Sequence, residues 1–147
     1  MKPSRRLGPV IDKARESEQA AARALGEAHT RVDGAAQKLA ELETYRSEYI
    51  EGLQHKTRNG LNAMQMKDYR VFLGRLDEAI RQQQQVLAGL EQEAGHARQG
   101  WLQEKQRLGA LDKLNDRHRQ QERSDSDRRE QSESNEHALQ RWRRIPG

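Results

Sequence analysis

The chain has 147 residues, of which 34% are charged, 33% hydrophobic and 4% aromatic, with a net charge of +4 and no cysteine. That is the length of one domain with too little apolar material for a broad core, so one narrow apolar stripe per helix is the expected economy. The missing cysteines exclude disulfides and thiolate chemistry, the lack of a long apolar run argues against a membrane span or secretory signal and for a cytoplasmic protein, and acidic residues interleaved with the basic ones describe solvated helix faces rather than a nucleic-acid stripe.

In chain order, residues 1–8 are basic, with Lys2, Arg5 and Arg6 beside Pro3 and Gly8. They read as a frayed N-terminus. Pro9 suits a first helical position, where its missing N–H costs nothing. From there Ile11, Ala14, Ala21, Leu25, Ala28, Val32, Ala35, Leu39, Leu42, Tyr49 and Leu53 share one face, broken by Glu18, Arg46 and Lys56. A helix from Pro9 to Lys56 would be several times the usual length of about 11–12 residues, and such length without internal caps means a coiled coil. A turn is expected at 57–62, where Asn59-Gly60 is a turn signal and Asn62 with Gln65 resembles a capping box.

The second helix carries the clearest seam. Tyr69, Leu73, Leu76, Ile80, Gln83, Leu87 and Leu90 alternate steps of four and three, then Ala94, Ala97, Trp101, Glu104, Leu108 and Leu111 follow. Two such helices joined by a short turn lie antiparallel. With Lys56 opposite Met66, give or take one helical turn, Tyr49 meets Leu73, Leu42 meets Ile80, Ala28 meets Ala94, and Ala21 meets Trp101. Glu18 then meets Glu104, which weakens the open end. Glycines recur inside both helices from Gly26 to Gly109. They are either tolerated because packing dominates, or they let the pair bend. The expected fold is therefore all-α, a long two-helix antiparallel coiled-coil hairpin over 9–114 with an extended polar C-terminal helix or tail over 115–147. That extension has no expected partner within the chain. His137–Trp142 is a late amphipathic fragment in it, and Trp142 beside its arginines is either a docking anchor or part of a frayed end.

Catalysis has no foothold in this pattern. No phosphate-binding glycine loop occurs. His29, His55, His96, His118 and His137 are scattered, with no pair at helical ligand spacing. A narrow helix pair offers no pocket in which to desolvate a carboxylate. The expectation is no enzyme, no cofactor and no metal. What remains is an aromatic cluster near the turn. Tyr49 and Leu76 fit the core, whereas Tyr45 and Phe72 flank the seam. Their rings either stay exposed as a partner site or thicken the core.

Leu42-x-x-Tyr45-x-x-x-Tyr49 before the turn, and Tyr69-x-x-Phe72-Leu73-x-x-Leu76-x-x-Ala79-Ile80 after it, resemble the FliJ family of the bacterial flagellar type III export apparatus. Trp101, the basic Lys105–Lys113 region and a late Glu130-Gln131 with Glu136 belong to the same resemblance. It departs at Lys38, where the family often has Gln, and at Gln83 and Asn135. The resemblance implies a fold like the central stalk helices of a rotary ATP synthase. It implies three partners: the export ATPase hexamer, the export-gate membrane protein and export chaperones, with the protein peripheral to the cytoplasmic face of the membrane. The gate contact would fall on Leu42, Tyr45, Tyr49, Phe72, Leu76 and Ala79, and the ATPase-ring contact on Glu130, Gln131 and Trp142. Two other readings stand beside it: a generic coiled-coil scaffold whose seam pairs between chains, and a basic nucleic-acid-binding coiled coil. The Asn59-Gly60 turn favours a hairpin within one chain, a monomer when free.

Overall fold

A computed structural model describes residues 2–144, so Met1, Ile145, Pro146 and Gly147, the outermost residues of the expected terminal segments, lie outside the described part. Two helices account for nearly all of it: α1, Pro3–Arg58, and α2, Ala63–Arg144. Among the described residues there is no strand. The fold is the expected all-α helical hairpin.

The reversal is built from local chemistry. The last turn of α1 carries Lys56 and Arg58, whose charges complement the negative end of the helix dipole. Asn59 N and Gly60 N donate to the carbonyls of Lys56 and Thr57. Gly60 sits at φ 92°, in the left-handed region that a side chain disfavours. The chain then enters α2 through a reciprocal cap: Gln65 N donates to Asn62 Oδ1 at 2.8 Å, and Asn62 N to Gln65 Oε1 at 3.2 Å.

Contacts divide the chain into two units, one spanning Ala21–Trp101 and one made of the two terminal stretches, up to Ala20 and from Leu102. In the turn-proximal unit the buried residues are Ala28, Ala35, Leu76, Ile80, Ala94 and the polar Gln83. Leu25, Val32, Leu39, Leu42, Tyr49, Leu73, Leu87 and Leu90 are half-buried around them. These are the seam residues, and Ala28 and Ala94, expected to face each other, are both buried. Antiparallel register shows in four contacts: Tyr49 against Phe72 and against Tyr69, Arg46 against Asp77, and Gln83 against Ala35. Tyr49 thus meets residues just before Leu73, within about one helical turn of the expected pairing.

The terminal unit departs from expectation in two ways. Residues 3–8 are helical rather than frayed, and Pro9 lies inside α1, where it deprives the Arg5 carbonyl of its usual donor. The reason is an anchor far away in sequence: the Glu122 carboxylate accepts Ser4 N–H at 3.2 Å and Ser4 O–H at 2.7 Å. It occupies the place of an N-cap that the first turn, with no acidic residue, does not supply. Because α1 begins earlier, it also covers more of α2. Asn115 is buried, as are Ile11 and Ala14 in the same unit, and His118, Glu122 and Asp125 are half-buried. The first part of the extension therefore has a partner in the chain after all. From Ser126 to Arg144, α2 continues with every residue exposed.

Candidate functional site

Tyr45 and Tyr49 stand one turn apart on α1, with ring centroids 6.5 Å apart. Phe72 comes across from α2 and closes the cluster, 4.5 Å from Tyr49 and 6.2 Å edge-on from Tyr45 at 80°. Both arrangements are favourable geometries for aromatic rings. Tyr69 extends the cluster towards the turn, 5.2 Å from Tyr49. Lys56 covers its outer face, with Nζ 5.4 Å from the ring centroid, a cation–π contact.

The rings differ in exposure, and that difference defines a surface. Tyr49 and Phe72 are half-buried, whereas Tyr45 keeps 49% of its surface exposed. Leu76 is buried under them, and Leu42 and Ala79 are half-buried one or two turns away on their own helices. The six residues expected to form a partner site thus gather on one stretch of the pair. Tyr45 carries most of the exposed ring, Phe72 is partly sunk, and Leu76 belongs to the core. Burial, then the neighbouring Tyr69 and Tyr45 hydroxyls, push the Tyr49 hydroxyl above its ordinary pKa. The Tyr69 hydroxyl hydrogen-bonds to Lys56 and raises its ammonium likewise. Near neutral pH Tyr49 is therefore uncharged, with the Lys56 cation at the turn-side end of the cluster.

The other edge of the same pair is sealed by charge. Arg46 Nε donates to Asp77 Oδ1 at 2.5 Å, bridging α1 and α2. Sequence spacing marks Arg46 only as a break in the seam; the pairing needs Asp77, which lies beyond the turn. Between the edges, buried Gln83 donates Nε2–H to the Ala35 carbonyl at 3.0 Å, so this polar residue in the seam is satisfied. Lys56 and Tyr69 were outside the expected site, and their seam positions gave no sign of it.

Glu130, Gln131 and Trp142 occupy the exposed run of α2, with Trp142 74% exposed. Gln131 donates to Asn135 Oδ1 at 3.3 Å. Asn135, Ala138, Leu139 and Trp142 line a shallow, mostly apolar cleft on this run. Among the described residues no His, Asp and Glu cluster could hold a metal ion, and no helix is long and apolar enough to cross a membrane.

Comparison with known proteins gives concordant matches. A family model described as Flagellar FliJ protein matches residues 2–147. The flagellar FliJ proteins of Salmonella typhi and Escherichia coli K12 are each 32% identical to the chain over 111 residues, covering 76% of it and 76% of each relative.

Proposed function

The chain belongs to the FliJ family and so is a component of the flagellar protein export apparatus; from that premise we propose that it acts there as a nonenzymatic, stalk-like coupling factor between the export ATPase hexamer, the export gate and the export chaperones. It would work in the cytoplasm, peripherally at the inner face of the membrane, and as a monomer when free. The observation that carries the gate contact is the pairing of half-exposed Tyr45 with Phe72 at 6.2 Å, on the edge opposite the Arg46–Asp77 bridge. Exposed aromatic surface on so polar a chain is costly to leave wet and useful to cover. Leu42, Tyr49, Leu76 and Ala79 shape the surface around and beneath it. The ring contact is assigned to the terminal unit, with Glu130, Gln131 and Trp142 on the exposed run as its anchors.

One two-partner assay tests both ends. Truncating a hot-spot ring costs about 2 kcal/mol or more, or about thirtyfold in affinity. Tyr45→Ala with Phe72→Ala should cut binding to the cytoplasmic part of the gate by at least that factor, reduce motility and spare ATPase binding. Glu130→Ala, Gln131→Ala and Trp142→Ala together should do the reverse. Circular dichroism melting accompanies each variant. If the tyrosine–phenylalanine variant folds normally and binds the gate as before, the gate assignment is wrong. If it melts far earlier and loses both partners together, the rings are core. Undiminished ATPase stimulation by the triple variant would remove the tail from the ring contact.

A further inference from the structure

The aromatic surface continues along the pair in a way that defines what fits it. On α2, Phe72, Ala79 and Val86 recur one heptad apart on the flank of the seam. Such flank positions are ordinarily charged. Here they are an apolar row: Phe72 and Ala79 are half-buried, and Val86 is 50% exposed. The row on the other flank of α2 is Arg70, Asp77, Gln84 and Glu91, all polar. On α1 the matching flank reads Arg31, Lys38 and Tyr45, again one heptad apart. Tyr45 stacks edge-on against Phe72. In an antiparallel pair, stepping away from that contact places Lys38 opposite Ala79 and Arg31 opposite Val86. Both cations are exposed, and neither joins an ion pair among the described residues. Gly34, between them, leaves open space where a Cβ would stand.

We infer that this edge is a groove for an acidic amphipathic helix of the partner: apolar residues at heptad spacing pack along Phe72, Ala79 and Val86, while carboxylates on the helix flank meet Lys38 and Arg31. Three flank positions two heptads end to end span about 21 Å at 1.5 Å per residue, the length of a helix of about four turns. A straight apolar row of this kind takes a third helix by the packing used in the seam itself. The small Ala79 between the larger Phe72 and Val86 is where a large side chain of the incoming helix seats. The two unpaired cations fix its charge and, with the row, its direction. The inference rests on the gate-binding reading, because it extends the same surface, and it adds Val86, Lys38 and Arg31 as contact residues.

The test uses the full chain and the cytoplasmic part of the gate. Val86→Asp should weaken binding by about tenfold, as burying an unpaired charge in a contact costs a kilocalorie or more. Val71→Asp is the control: Val71 is 48% exposed on another face of α2, and this change should leave binding unaltered. Arg31→Glu with Lys38→Glu should weaken binding about tenfold at low ionic strength, and less as salt screens the rim. Melting curves should match the parent for all of these. If Val86→Asp and the charge reversals bind normally while Tyr45→Ala with Phe72→Ala does not, the patch ends at Phe72 and the inference fails alone. If no variant matters, it fails together with the gate reading. Equal losses from Val71→Asp and Val86→Asp would also overturn it, as would sedimentation showing that the parent dimerises and Val86→Asp abolishes the dimer, since the occupant would then be a second copy.

Discussion

The turn-proximal unit and the terminal unit are made from the same two helices, yet they treat buried polar groups in opposite ways. In the first, Gln83 is 8% exposed and spends its amide on the Ala35 carbonyl. In the second, Asn115 is also 8% exposed, but its Oδ1 has no hydrogen-bond partner, and neither does the buried Oε2 of Glu104. Composition alone would rate the two seams as similarly interrupted. Geometry separates them, because a buried polar group costs little when paired and about 1–3 kcal/mol when it is not. The contrast gives the terminal unit the lower local stability, the kind of region that opens first.

Three measurements break or sharpen that contrast. The largest effect should come from Leu76→Ala, which removes a 7% exposed core side chain from the turn-proximal unit at a cost of about 2–4 kcal/mol. Amide exchange should accelerate across Ala21–Trp101 far more than in the terminal unit, whose expected opening is independent of that core. An equal acceleration everywhere would mean one cooperative block and would dissolve the distinction.

Next is Asn115→Leu. Replacing an unpaired buried amide with an apolar side chain should stabilise the terminal unit by about 1–3 kcal/mol, whereas Gln83→Leu, which discards a made hydrogen bond, should give no gain. Equal gains at both positions in denaturant titrations would show that pairing is not what separates the units.

The smallest effect is set by pH. The Ser4 hydroxyl, followed by its backbone N–H, favours the charged Glu122 carboxylate and lowers its pKa from an ordinary 4.5. A depressed carboxylate contributes above its unfolded pKa and ceases to contribute as pH falls through the folded value. Helicity at Ser4 to Leu7, read by NMR, should be full at neutral pH and decline on acidification below that ordinary value. Glu122→Gln should remove this dependence. An acid-sensitive start that survives the substitution would assign the cap elsewhere.

What could be read beforehand follows the range of each interaction along the chain. The seam, the turn and the cap of α2 were legible because their causes are local: four-three spacing, Asn59-Gly60, and Asn62 three residues before Gln65. The near-flanking placement of Tyr45 and Phe72 was legible for the same reason, being fixed by their offset from the seam. The start of α1 was not, because its capping carboxylate lies at Glu122, at the far side of the chain. Nor was the fate of two polar residues: Gln83 stood in the expected seam and Asn115 in the extension expected to lack a partner, yet both are buried, and only the Ala35 carbonyl across the interface satisfies the first while Asn115 Oδ1 has no partner. Arg46 was read as a flaw in a stripe, whereas Asp77 makes it the seal of one edge.

From Ser126 to Arg144 every residue of α2 is exposed. A polar helix of that length standing alone in water is close to balanced between helix and coil. A partner that gripped this run, as the proposed ring contact would, must select the helical fraction, and its apparent dissociation constant would be the intrinsic one divided by that fraction. Affinity at this end thus has a dial that touches no contact residue. Serines such as Ser126, Ser132 and Ser134 hold the helical fraction down through their poorer helix propensity relative to alanine. Alanine at those positions would tighten the grip and slow release, while the surface presented to the partner's anchors stayed the same.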